Sequence, residues 1–299
     1  MRFLYSINSW LKNKIPPSLY QKIRQSYFYI LKKRQKQFSR EEFKELLKKE
    51  LRVKEGQDVF VHSSINQISI GFRYPEVIDI LSELVGNNGT LLFPSWKNTK
   101  DYQGYARDFI FDVKKTNSDL GILPELVRRR KDAYRSLHPF NSVVAFGPNA
   151  EWYTQNHHED IYPMGVKSPF FKLVEKKGLI IGIGIGTRYL AQVHCVEDVS
   201  IANFPFQTRT SEVLSFKVKT KDGTLLDIES LAPHKDIASR NQPAYLKKHV
   251  SKDIAKDLTI GGTRFFTAQA KELFDRMEEL AKEDVTIYTG ESLEKLIRK

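Results

Sequence analysis

Lys177-Gly-Leu-Ile-Ile-Gly-Ile-Gly-Ile-Gly186 is an apolar run punctuated by glycines, and Thr187-Arg-Tyr-Leu-Ala-Gln-Val-His-Cys-Val-Glu197 follows it directly. The run reads as a buried strand over Leu179 to Ile185, because a short continuous apolar stretch without polar alternation fits a position covered on both sides. Ligand sites in α/β folds gather beyond the carboxyl ends of strands. His194 and Glu197 lie just past such an end. If residues 189–199 are helical, their three-residue spacing sets imidazole and carboxylate on one face. A carboxylate there accepts from one ring nitrogen, fixes the tautomer and raises the basicity of the other. That makes a general base. The competing reading of the same spacing is a helix-surface histidine beside a solvated glutamate.

The glycines do not form a dinucleotide fingerprint. Counted from Gly184 the third glycine position is Tyr189, and counted from Gly182 the third is Thr187, so the spacing fails in both registers. Period-two glycines instead let a strand pass close to another backbone or to a ligand.

Working outward, the flanking segments keep a β/α rhythm. Val59–His62, Thr90–Phe93 and Ser142–Phe146 read as strands. Tyr74–Leu84, a segment from Leu123-Pro124 to Arg130, and a segment capped by Ser168-Pro169 read as helices. Glu41–Leu51 reads as an amphipathic helix, and residues 97–119 as a long irregular stretch. Val213–Lys219 and Leu225–Ile228 bracket Lys221-Asp222-Gly223, a hairpin signal. Thr267–Lys282 reads as a helix and Val285–Tyr288 as a last short strand. The expected fold is therefore α/β: a layered mixed sheet flanked by helices, with an added β-hairpin and an N-terminal helical extension.

The chain has 299 residues and a net charge of +12, and the charge is unevenly placed. Residues 1–40 hold ten Lys or Arg and no Asp or Glu. The remainder, 41–299, is close to neutral. Two units follow: a basic, aromatic-rich extension at 1–40 and a body at 41–299. Trp10, Tyr20, Tyr27, Phe28 and Tyr29 interleave with the basic residues, a pattern suited to the face of an anionic membrane. Docking on the body or on a second subunit is the other use open to it, and no nucleic-acid reading motif accompanies the charge. No apolar run approaches the ~18 residues of a spanning helix, and no secretory signal pattern begins the chain. One cysteine, Cys195, suits a reducing cytoplasm.

Several segments, taken in order, resemble the aminoglycoside 3-N-acetyltransferase family. They are Val61-His-Ser-Ser64, Val85-Gly-Asn-Asn-Gly-Thr-Leu-Leu-Phe-Pro-Ser95, Leu120-Gly-Ile-Leu-Pro-Glu125, Arg135-Ser-Leu-His-Pro-Phe-Asn-Ser142, Met164-Gly-Val-Lys-Ser-Pro169 and His194-Cys-Val-Glu197. The resemblance implies an acetyl-coenzyme A enzyme that acetylates an amine on a sugar-like ring, without a metal. It implies His194 as catalytic base with Glu197 as its partner. It also implies Ser63, Ser64, Ser136, Ser142 and Ser168 as contacts to the coenzyme or its thioester. His62, in the same motif, is grouped with them as a ligand contact, with structural hydrogen bonding the other use open to it. The acceptor class stays open between an aminoglycoside and an amino sugar of a surface polysaccharide. Sugar O-acetylation and a non-catalytic binding module recruited through residues 1–40 are the alternative readings.

The residue chemistry is compatible with that implication. An amine must lose a proton as it attacks a thioester, which calls for a base, while a thiolate leaves without help from an enzyme nucleophile. Hydroxyls and strand-end amides can stabilise the developing oxyanion. Three other signals read as structural. His157-His-Glu-Asp160 lacks a second half for a metal site and reads as a solvated loop. Cys195 is poorly placed for activation by its neighbour His194 and reads as packing. His138, before Pro139, reads as ordering a loop.

Overall fold

The computed structural model describes residues 34–288 apart from 100, 235–236 and 238–239, plus isolated positions between 15 and 26. Among the isolated positions, 18–19, 22–23 and 26 are helical. Most of the extension, including Trp10 and Tyr27–Tyr29, lies outside the described residues.

The described strands are β1 (Val59–Ser63), β2 (Leu91–Pro94), β3 (Ile110–Asp112), β4 (Tyr134–Arg135), β5 (Val143–Phe146), β6 (Leu179–Ile183), β7 (Arg209–Lys219), β8 (Leu225–Pro233), β9 (Ala255–Ile260) and β10 (Thr263–Gln269). Seven of them form one mixed sheet in the order β4-β5-β2-β1-β6-β10-β9. β1 lies between β2 and β6 and runs parallel to both. The remaining pairs in this sheet are antiparallel. β3, β7 and β8 make a second, three-stranded sheet, with β3 parallel to β7. The Lys221-Asp222-Gly223 turn closes the β7–β8 hairpin as its sequence indicates.

The helices are α1 (Arg40–Lys49), α2 (Glu76–Val85), α3 (Tyr102–Asp108), α4 (Ile122–Arg128), α5 (Ala150–Thr154), α6 (Pro169–Glu175), α7 (Cys195–Val199), α8 (Gln242–His249) and α9 (Ala270–Lys282). Period-two alternation in the central strands sorts the side chains to two faces. Val59, Val61, Ile181 and Ile183 join one buried cluster with residues of α1, α2 and α4. Phe60, Ile180 and Phe266 join another with residues of α6, α7, α8 and α9. The result is a three-layer α/β/α body, with Phe111, Phe216 and Val218 anchoring a smaller core under the second sheet. No described helix is long and apolar enough to cross a membrane.

α1 starts at a capping box in which Ser39 Oγ accepts from Glu42 N and Glu42 answers on Ser39 N. Phe38, just before it, is 2% exposed, so the body packs from upstream of the expected boundary at 41.

The structure departs from the sequence reading in four further places. The stretch 97–119 is not irregular throughout, because it contains α3, capped by Asp101 on Gly104 N, and β3. Thr267 is in a strand, and the last helix begins at Ala270. Gly261 and Gly262, at φ 55° and 80°, close a two-residue turn whose positive φ values suit a tight hairpin. Thr263–Gln269 therefore returns as β10 beside β6 before any helix can start. Residues 285–288 form no strand; their one backbone bridge is Arg240 to Tyr288, and Ile287 and Tyr288 pack into the core. Residues 187–199 are not one helix: two 3-10 turns, Thr187–Tyr189 and Ala191–His194, precede α7.

Candidate active site

The glycines of the 177–186 run work as close-packing positions. A Cβ on Gly182 would lie 2.1 Å from the Phe266 ring, and one on Gly184, at φ 74°, would lie 2.4 Å from Ser64 O. Gly182 is paired with His62 on β1 and with Phe266 on β10. The His62 and Phe266 rings consequently approach to 6.0 Å. After the strand, Asp257 captures the chain by accepting from Thr187 N at 2.8 Å and Thr187 Oγ1 at 2.6 Å. The segment is thereby turned toward α9, where the two 3-10 turns set up His194.

His194 Nδ1 lies 2.8 Å from Glu197 Oε1. The same oxygen accepts a hydrogen bond from Tyr288 Oη at 2.8 Å, and that hydroxyl stands 3.5 Å from His194 Nδ1. Glu197 is 5% exposed. A carboxylate only accepts, so the imidazole proton belongs on Nδ1, assigned from this network. Nε2 is left as the basic nitrogen, with no hydrogen-bond partner among the described residues. Burial, with Glu197 beside it, drives the Tyr288 phenol well above its ordinary value. The hydroxyl therefore stays protonated and donates. Sequence reasoning missed Tyr288, since no spacing links it to His194 across 94 positions.

The next residue secures the pair from below. Asp198 takes Arg209 in a two-pronged ion pair, 2.7 Å from Nε and 2.6 Å from Nη2, and accepts from Met164 N at 2.9 Å. Burial pulls the Arg209 guanidinium down, but Asp198 outweighs it and holds Arg209 above its ordinary value. Cys195 is fully buried, with Sγ 3.4 Å from Met164 O. Burial pushes its thiol well up, so it packs rather than reacts.

The residues expected to contact coenzyme divide into two groups. At the carboxyl end of β1, His62 Nε2 and Ser63 Oγ are buried and have no partner among the described residues. Burial drops the His62 ring to about 3, so it is neutral. Ser64 Oγ, next in line, accepts from Gln67 Nε2 at 3.2 Å. Ser136, Ser142 and Ser168, in contrast, are committed internally. Ser136 Oγ bonds His157 Nδ1 and Val143 N, each at 2.9 Å; Ser142 Oγ donates to Ser136 O at 2.8 Å; Ser168 Oγ caps α6 on Phe171 N at 3.2 Å. All three are at most 1% exposed. Each of these hydroxyls already has a partner inside the fold.

His157 is no solvated loop residue. It is fully buried, its Nε2 bonds Pro163 O at 2.9 Å, and it stacks on His138 at 4.6 Å. No described cluster of His, Cys, Asp or Glu could hold a metal. A cavity of about 300 Å³ over Lys97–Thr99, Asp101, Tyr105, Phe109 and Asp119 shares no residue with the His194 group. Its two carboxylates are already used, Asp101 as the α3 cap and Asp119 by Lys97 at 2.5 Å.

A family model of aminoglycoside 3-N-acetyltransferases matches residues 60–282. Aminoglycoside N(3)-acetyltransferase VII of Streptomyces paromomycinus is 30% identical over 163 residues, covering 50% of this chain and 56% of that protein. Aminoglycoside N(3)-acetyltransferase IX of Micromonospora chalcea is 28% identical, covering 50% and 58%. The chain thus spans little more than half the length of the curated relatives it matches. Among solved structures, aminoglycoside acetyltransferase AAC(3)-Xa superposes with a TM-score of 0.71 at 20% identity, over 89% of this chain and 99% of that one. AAC-IIIb, binary with CoASH, gives 0.69 at 20%, over 85% and 100%. Sisomicin-bound AAC-VIa gives 0.69 at 20%, over 84% and 100%. At these identities the superpositions speak to the fold.

Proposed function

The chain belongs to the aminoglycoside 3-N-acetyltransferase family, and on that premise we propose that it transfers an acetyl group from acetyl-coenzyme A to an amine of an aminoglycoside or related amino sugar. The observation that carries this reading is the His194–Glu197 contact at 2.8 Å, with Glu197 buried and its oxygen also held by Tyr288. Glu197 keeps the imidazole proton on Nδ1, and Nε2 takes the proton that the amine loses as its nitrogen bonds the acetyl carbon and the carbon–sulfur bond breaks. The coenzyme supplies the acetyl group as a thioester whose thiolate leaves readily, so no covalent enzyme intermediate is needed. The burial of Cys195 fits that route.

His62 Nε2 and Ser63 Oγ would hold the coenzyme end of the site. They are buried polar atoms without a partner among the described residues, at the carboxyl end of a central parallel strand. Such atoms are costly unless a ligand or water completes them. A neutral His62 ring and the Ser63 hydroxyl are both able to donate toward a developing oxyanion. Relatives named for aminoglycosides, and a neighbour solved with CoASH, support donor and acceptor alike.

The test is thiol release from acetyl-coenzyme A with matched amino and hydroxyl versions of one sugar, with gentamicin-type and nucleotide-linked amines as the acceptor panel. Release with the amino sugars alone is expected. Release with the hydroxyl sugar would turn the assignment to O-acetylation, and release with none would defeat it. The basic extension is assigned to an anionic membrane surface, and loss of anionic-vesicle binding on deletion of residues 1–33 is the expected outcome. Unchanged partitioning would remove that part.

A further inference from the structure

Tyr288 lies outside the segment that the family model covers, residues 60–282. Its placement depends on contacts made far from the sequence neighbourhood of His194. Asn241 N donates to Ile287 O at 3.0 Å, Arg240 and Tyr288 form a bridge, and the Tyr288 ring meets Phe206 edge-on at 5.5 Å. Tyr288 is 6% exposed, so its hydroxyl has been taken out of water and given a single charge-assisted bond, to Glu197 Oε1.

Two donors therefore converge on one carboxylate oxygen, one from His194 and one from Tyr288. A carboxylate oxygen has two lone pairs, and this arrangement uses both. The carboxylate cannot swing away from His194 without leaving a buried hydroxyl unmade, at a substantial desolvation penalty. The second donor also spreads the charge on Oε1 and tempers its pull on the imidazole proton. The charged groups acting on Tyr288 besides Glu197 are Arg240, across the bridge, and Arg209, which is paired with Asp198.

We propose that Tyr288 is a positioning residue of the His194–Glu197 pair, fixing the carboxylate through its hydroxyl and moderating the basicity of His194 from a C-terminal segment outside the family match. The inference rests on the reading of His194 as the base. Tyr288→Phe keeps the ring and removes only the hydroxyl. The variant is expected to lose about 3- to 10-fold in kcat, with KM for acetyl-coenzyme A within about 2-fold. The half-rise of its pH–rate profile is expected to move to higher pH, because Glu197 then holds the imidazolium more strongly. Phe206→Leu loosens the ring contact but keeps the hydroxyl, and it should leave the pH limb in place. A second readout needs no acceptor. In ¹⁵N-labelled full-length protein, the pH midpoint of the His194 ring resonances, identified by their loss in His194→Gln, should rise in Tyr288→Phe. A midpoint and profile unchanged in Tyr288→Phe would overturn the proposal, as would Phe206→Leu reproducing the shift. The resonance test decides the role of Tyr288 even if wild type releases no thiol with any amine, a result that would defeat the proposed activity instead.

Discussion

His194 and His157 are both imidazoles drawn largely out of water, and they differ in what holds them. His157 is fully buried with both nitrogens engaged, one by the Ser136 hydroxyl and one by the Pro163 carbonyl. Nothing is left to take a proton, and burial drops the ring to about 3. His194 spends one nitrogen on a carboxylate, keeps a side chain 14% exposed, and has its second nitrogen unpartnered among the described residues. The difference teaches that partner type and one open nitrogen, rather than burial alone, separate a ring able to take a proton from a structural brace. His62 stands between the two, buried and neutral like His157 yet with Nε2 unmatched, which is what motivates its proposed ligand contact.

The comparison can be broken at the support beneath it. Asp198→Ala would leave Arg209 buried without its carboxylate, and about 3–5 kcal/mol of stability should be lost. Urea unfolding would read this directly. A loss below about 1 kcal/mol would mean that the pair does not anchor α7. Glu197→Gln tests the carboxylate itself. It should lower kcat by about 10- to 100-fold, with little change in the folded fraction, measured by thiol release beside circular dichroism. Activity close to wild type would put Glu197 outside the mechanism.

His157→Gln probes the other side and should show the smaller effect, on stability only. Breaking its two bonds should cost about 1–3 kcal/mol, while kcat of the folded fraction holds within about 2-fold. pH sharpens the contrast. His62 and His157 are held at about 3 in the folded protein, below the ordinary 6.5, because burial disfavours the charged ring. The unfolded chain thus binds more protons in that window. Their contribution to stability is complete above about 6.5 and is lost as pH falls from there toward 3. Unfolding free energies measured from pH 8 to pH 5 should therefore decline, and His157→Gln should flatten the decline. An unchanged slope would mean that His157 is not held neutral by the fold.

Much of the central layer was legible because its physics is local. Apolar runs such as Val59–His62 and Leu179–Ile183 announce buried strands, and Ser168-Pro169 and Lys221-Asp222-Gly223 announce a cap and a turn. The close-packing use of Gly182 also followed from its spacing. Thr267–Gln269 was misread as the start of a helix because Thr-Ala-Gln suits a helix or a strand alike, and only pairing with β6 decides between them. In the site, His194 and Glu197 were visible as neighbours three residues apart. The internal partners of Ser136, Ser142 and Ser168 were not visible, because a serine's sequence context does not reveal whether a backbone group meets it in the fold. Tyr288 and Arg209 were invisible for the same reason in reverse, since their partners lie 91 and 11 positions away.

The most direct test of the central claim is turnover of His194→Ala, followed as thiol release with an amine acceptor alongside titration of acetyl-coenzyme A binding. Loss of about 10²- to 10⁴-fold in kcat with coenzyme affinity retained is the predicted result. Turnover near that of the wild type, in a protein that still binds coenzyme, would contradict the assignment of His194 as the base.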